Sequence, residues 1–287
     1  MIKLHSIALM GLLAFEGAIF AQDGVKLYDY PNYKVYSILD QTMTMPGRLF
    51  SSQGESIALE NGYSAAQNVF LIENKATGSC ALIDAGFGNA KSNLMPRLKR
   101  MGVSPDKISA VFITHIHPDH VGGLTTTDGK AAFPNAKVYI ARLEYEKWQT
   151  DANRAALGVH IRPYGERLVL MDFDMEVAPY GLKPLLYKGH TPGHTVFELR
   201  VLPANDKKDV SSVFFVGDIV HAVELQVKHP DYCARFDQNP AEAVASRRAL
   251  FRKAKVCFGA HITFPGRITI VKKNEALQES FSYTLGD

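Results

Sequence analysis

The run Thr114-His115-Ile116-His117-Pro118-Asp119-His120 constrains this chain more than any other stretch, because it packs four metal-ligating side chains into six residues. Imidazole nitrogen and carboxylate oxygen at that density suit divalent cations of borderline hardness. The apolar Ala110-Val111-Phe112-Ile113 just before it reads as a buried strand that delivers the loop to one edge of a sheet. A loop of solvated histidines would need no such strand.

Three further positions complete a set of seven. Gly189-His190-Thr191-Pro192-Gly193-His194 lies between the apolar run Pro184 to Tyr187 and the strand-like Val196-Phe197-Glu198-Leu199, and presents His194 from a tight turn. Ser212-Val213-Phe214-Phe215-Val216 reads as another buried strand and ends in Gly217-Asp218. Val256-Cys257-Phe258-Gly259 leads to His261 in the same way. Each candidate ligand follows the carboxyl end of an expected strand, where open α/β sheets place their sites.

The pattern His-x-His-x-Asp-His at 115–120, followed by His194, Asp218 and His261, resembles the metallo-β-lactamase-fold hydrolases. Leu82-Ile83-Asp84-Ala85-Gly86 and Val121-Gly122-Gly123 agree with it, and the likeness spans roughly residues 65–271. It implies an α/β fold, an αββα sandwich of two facing mixed sheets with flanking helices and metals at one edge. It also implies that His115, His117 and His194 bind one ion, that Asp119, His120 and His261 bind a second, and that Asp218 bridges them. Asp84 matches a carboxylate that orients the ligand loop. His190 and His160 match no ligand position and are read as surface or loop histidines.

Such a centre holds two divalent metal ions, Zn²⁺ first, with Mn²⁺, Co²⁺ and Fe²⁺ also compatible. Two ions about 3.5–4 Å apart share a hydroxide that attacks a carbonyl or phosphoryl group. Within the family, the closest local likeness is to acyl-homoserine lactonases and methyl-parathion-hydrolase-like enzymes. It rests on Phe133-Pro134-Asn135-Ala136, Gly217-Asp218-Ile219 and His261 followed by Phe264-Pro265-Gly266. The resemblance therefore implies hydrolysis of the lactone ring of N-acyl-homoserine lactones by attack of the metal-bridging hydroxide. The alternative is a phosphotriesterase or broad arylesterase of the same fold. Asp119, Asp218 and His221 are the catalytic candidates. His221 stands where many lactonases carry a tyrosine, and three roles are open to it: hydrogen-bond donor, proton shuttle or pocket wall. Met43, Met45, Leu49, Phe50, Trp148, Phe236 and Phe264 are candidates for an acyl-chain groove or for the core.

A chain of 287 residues with 46% hydrophobic content can bury a large core. Its net charge of +3 comes without a basic stripe, which speaks against a nucleic-acid partner. Arg247-Arg248 and Lys272-Lys273 read as solvated faces. Lys3, the apolar Ile7 to Phe15 and small residues up to Ala21 resemble an export signal over residues 1–21, leaving 22–287 as a single hydrolase domain outside the cytoplasm. The apolar stretch is too short to span a bilayer, and no later run is long enough. Cys80 and Cys257 fall in apolar runs and read as buried packing residues. The loop Met43 to Gly54 is a candidate contact in a homodimer, and residues 151–183 carry mixed signals suited to part of a lid or a substrate wall. Arg142 to Thr150 reads as a helix, and so does the stretch from the Asn239-Pro240 cap to Lys253.

Overall fold

Alternation of apolar side chains along the strands settles the layering. The computed structural model describes residues 23–52, 55–56, 62–150, 158–202, 211–274 and 279–286. The expected export signal lies outside them, as do the first residues of the expected lid (151–157).

The chain opens with β1 (Val25–Asp29) and β2 (Tyr33–Met45). The short β3 (Phe50–Ser52) and β4 (Glu55–Ser56) follow. Then come β5 (Tyr63–Asn74), β6 (Cys80–Ile83), α1 (Leu94–Arg100), β7 (Ile108–Ile113), α2 (Pro118–Val121) and β8 (Lys137–Ala141). After α3 (Arg142–Thr150) and α4 (Gly158–Ile161), β9 (Leu168–Met171) completes a seven-stranded sheet in the order β1-β2-β5-β6-β7-β8-β9. The second half supplies β10 (Leu182–Leu186), β11 (Thr195–Arg200), β12 (Ser212–Phe215), α5 (Val223–Gln226), β13 (Cys233–Ala234), α6 (Pro240–Lys253), β14 (Val256–Phe258), β15 (Arg267–Asn274) and β16 (Glu279–Leu285). Six of these strands form a sheet in the order β10-β11-β12-β14-β15-β16, and β13 joins a small sheet with β3 and β4. Both large sheets mix parallel and antiparallel neighbours.

Successive side chains of a strand point to opposite faces. On β7, Val111 and Ile113 pack with Leu94 and Leu98 of α1 and Trp148 of α3, whereas Ala110 and Phe112 face the other sheet. On β12, Val213 and Phe215 face inward, and Phe214 packs with Leu250 and Phe251 of α6. The two inner faces meet through aromatic pairs. Phe112 lies 5.5 Å from Phe197 across the sheets, and Phe70 lies 5.5 Å from Phe258, both edge to face. This is helix, sheet, sheet, helix, as the resemblance implied.

Several local expectations are revised. β2 runs on to Met45, and Phe50 is fully buried against Tyr63, so only part of the stretch 43–54 is loop. Arg247 is not on a solvated face. Its guanidinium is buried and donates to the carbonyls of Ile219, Pro230 and Tyr232. Cys80 is only half-buried, while Cys257 is enclosed, and all three cysteines are free thiols. No helix among the described residues is long and apolar enough to cross a membrane.

Candidate metal centre

The ligand loops converge at one edge of the sandwich. β7 ends at Ile113, and Thr114 to His117 turn directly into α2, whose first residue, Pro118, suits a helix start and which carries Asp119 and His120. β12 ends at Phe215, and Gly217 turns the chain at φ +49° to present Asp218. His261 follows β14. The turn 189–194 joins β10 to β11, with Thr195 N donating to the carbonyl of Thr114 and so tying it to the first loop.

Two groups of ligand atoms result, each with all members within 4.8 Å of one another: His115, His117, His190 and Asp218, and Asp119, His120, Asp218 and His261. Asp218 belongs to both. Its Oδ1 lies 3.1 Å from His120 Nε2, and its Oδ2 lies 3.0 Å from His261 Nε2, 3.4 Å from His190 Nε2 and 3.7 Å from His115 Nε2. Asp119 Oδ2 reaches His261 Nε2 at 3.3 Å and His120 Nε2 at 3.5 Å.

Hydrogen bonds behind the rings fix which nitrogen faces inward. His120 Nδ1 lies 2.8 Å from Asp84 Oδ2, and His261 Nδ1 lies 3.0 Å from the Ala66 carbonyl. His190 Nδ1 lies 2.9 Å from Asp237 Oδ1. These acceptors hold a proton on Nδ1 and turn each Nε2 toward the centre, where its lone pair is available to a cation that displaces any proton there. His117 turns the other way: its Nδ1 sits 2.8 Å from His115 Nε2 and 3.0 Å from His190 Nε2. Three imidazole nitrogens crowded together can share only one N–H. Moreover, Asp218 Oδ1 and His120 Nε2 are buried without a hydrogen-bond partner. Inward lone pairs beside carboxylate oxygens are what a pair of divalent cations requires, so these donors fit a dinuclear metal site.

The electrostatics divide the site. Burial drives His115 well below the usual imidazole range, with His120 adding to it, and lowers His117 to about 3, with His190 adding to it. In the second group burial is overridden. Asp218, Asp119 and Asp84 hold His120 well above its ordinary value, and Asp218 and Asp119 raise His261 to about 10. Against burial, His261 and His120 hold the Asp218 carboxyl well below the usual range, and His120 and His261 do the same for Asp119. The first group is therefore nitrogen-rich, the second sets two imidazoles against two carboxylates, and Asp218 is common to both.

The structure brings together His115, His117, Asp119, His120, Asp218 and His261. His194 is buried beside them, its ring centroid 5.1 Å from that of His115, and its Nε2 accepts from Asp218 N at 3.1 Å. It stands outside both groups of ligand atoms. His190, read from sequence as a surface or loop histidine outside the ligand set, does lie in a turn but is 1% exposed and sits within the first group, a correction explained by the buried Asp237 that holds its far nitrogen. His160 is half-buried, within 2.7 Å of Thr125 Oγ1 and outside both groups. His221 is buried, with Nε2 3.2 Å from Asp218 Oδ2 and its ring stacked on His261. A cavity of about 480 Å³ opens onto the centre. Its walls include His221, Met43, Met45, Phe87 and Phe236. Phe87 escaped the sequence reading, whereas Trp148 and Phe50 belong to the core.

Comparison with known proteins agrees. An N-acyl homoserine lactonase of Bacillus thuringiensis is 35% identical over 104 residues, 34% of this chain, so the chain matches about a third (35%) of that relative's length. The probable metallo-hydrolase YqgX of Bacillus subtilis is 28% identical over 47% of this chain and 61% of its own. Among solved structures, the hydrolase AbOPH of the beta lactamase superfamily superposes with a TM-score of 0.76 at 27% identity, covering 91% of this chain and 96% of its own. The dizinc quorum-quenching lactonase AidC shares the fold with a TM-score of 0.77 at 22% identity, over 90% of this chain and 97% of its own. The family model described as the metallo-beta-lactamase superfamily matches residues 64–261, most of the chain and every ligand loop. The chain belongs to that superfamily.

Proposed function

We propose that this chain is an N-acyl-homoserine lactonase. The observation that carries the reading is the placing of Asp218, shared by both ligand groups and lining a 480 Å³ cavity whose walls also include Met43, Met45, Phe87 and Phe236. A compact polar ring with an apolar tail suits a lining that combines those apolar side chains with the ligand residues. The lactonase of Bacillus thuringiensis, similar over a third of the chain, supports it.

When bound, two divalent ions, Zn²⁺ foremost, supply Lewis-acid polarisation of the acyl carbonyl and lower the pKa of water at the centre. His115, His117 and an imidazole of the 189–194 turn would hold one ion, Asp119, His120 and His261 would hold the other, and Asp218 would serve both. His221 lines the cavity with Nε2 3.2 Å from Asp218 Oδ2, and burial lowers its pKa. It offers one N–H to the ring ester and fixes the carbonyl over Asp218. The apolar wall holds the acyl chain and keeps water off it.

A phosphotriesterase or broad arylesterase is the second reading, favoured by His221 standing where many lactonases of the fold place a tyrosine. Acid release on mixing the metal-quantified protein with an acyl-homoserine lactone, beside an aryl phosphotriester, separates the two. Chelator-sensitive acid release from the lactone supports the first reading. Phosphotriester cleavage faster by orders of magnitude would replace it with the second. Export of the chain over residues 1–21 is a companion proposal, tested by fractionating cells that express the full sequence: recovery only with the cytoplasm would sink it.

A further inference from the structure

Glu144 at the start of α3 is a fully buried carboxylate whose four hydrogen-bond donors are all neutral. Its two oxygens are divided between the two histidine loops. Oε1 accepts from Ile116 N at 3.1 Å, inside the His115–His117 loop, and from Trp148 Nε1 at 2.8 Å. Oε2 accepts from Thr191 Oγ1 at 2.8 Å and Gly193 N at 2.9 Å, both inside the 189–194 turn. The turn sits hard against the helix start, since a Cβ on Gly193 would fall 2.3 Å from Glu144 N. A buried anion satisfied by neutral donors is expensive to keep, and burying an apolar residue there would be the ordinary solution. The charge is retained where it joins the loops that carry His115, His117, His190 and His194.

We infer that Glu144 is a positioning residue that locks the two histidine loops of the metal centre to each other. The inference rests on the metal centre proposed above and not on the identity of the substrate. A carboxylate is the group the place requires, because both of its oxygens only accept. A glutamine of the same shape must turn its NH₂ toward one pair of donors. The Thr191 hydroxyl can rotate to accept from that NH₂, but Gly193 N–H cannot. Glutamine therefore settles with its nitrogen toward the turn and frees the 189–194 side, while the Ile116 side stays tied.

The test is zinc affinity, measured by competition with a chromophoric chelator on the metal-stripped full chain, without substrate. Glu144→Gln is expected to bind zinc about 10–100-fold more weakly than the parent, as for other groups that orient ligand loops. The circular dichroism of its metal-stripped form should be unchanged. Thr191→Val removes one donor from the same oxygen and is expected to weaken zinc binding by a smaller factor. Combined with Glu144→Gln it should add little, since both act through one contact. Affinity within twofold of the parent for a folded Glu144→Gln would overturn the inference. Should that variant fail to fold, Thr191→Val decides, and its unchanged affinity would overturn the inference equally. A parent chain that binds no zinc would also overturn it. Tight zinc binding without lactone opening would leave Glu144 in its role and sink only the substrate assignment.

Discussion

Asp84 grips the metal loop from behind. Its Oδ1 accepts from Thr114 N and its Oδ2 from Thr114 Oγ1, while His120 Nδ1 meets Oδ2 at 2.8 Å. It does this from a φ of +61°, a left-handed conformation tolerated by Asp better than by most residues. Asp84→Ala is expected to weaken metal binding about 10–100-fold with the fold retained, as measured by chelator competition. His221→Phe should keep the full metal content and lower lactone kcat/KM by about tenfold or more, the loss of one hydrogen bond to substrate. Equal kcat/KM in that variant would make His221 a plain wall residue. At this scale the dense motif from His115 to His120 was legible because four ligands follow one buried strand. His190 was not, because Gly189 to His194 contains two histidines and local spacing does not say which ring turns inward. Asp237, far along the chain, holds His190 there. Arg247 was misread for the same reason, since its carbonyl partners come from the separate 219–232 stretch.

Elements were legible where their signals are local. The cap Asn239 accepts from Glu242 N at 3.2 Å, Pro240 follows as the first residue of α6, and the helix ends at Lys253. Asn239→Ala should destabilise the protein by about 1 kcal/mol, read from the denaturant midpoint. An unchanged midpoint would show that packing of Leu250 and Phe251 alone holds the helix. β7 and β12 were found from their apolar runs, for both are buried on two faces. β1 was missed because its short sequence Val-Lys-Leu-Tyr-Asp forms a half-exposed edge strand whose pairing with β2 is a matter of tertiary contact. Met43 and Met45 lay in an expected loop but belong to β2, and that regular strand aims them at the cavity.

At the scale of the whole molecule, enclosure makes the fold sensitive to alkali. Burial pushes the Cys257 thiol and the Tyr164 phenol each up to about 12. Such groups bind their protons more tightly folded than unfolded. Their contribution to stability is complete only below about pH 8, where the unfolded groups are still largely protonated, and declines as the pH climbs toward 12. Denaturant midpoints should therefore fall between pH 9 and 11, and Cys257 should resist thiol reagents at pH 8 until the chain unfolds. Rapid labelling of native Cys257 would contradict its enclosure.

The central claim is that Asp218 unites two metal subsites into one hydrolytic centre. It is tested most directly by titrating zinc into the metal-stripped chain while recording acid release from an acyl-homoserine lactone. The account predicts that hydrolysis rises to saturation only as the second equivalent binds, and that Asp218→Asn stays inactive throughout. Full activity at one equivalent, or hydrolysis that persists without metal, would contradict it.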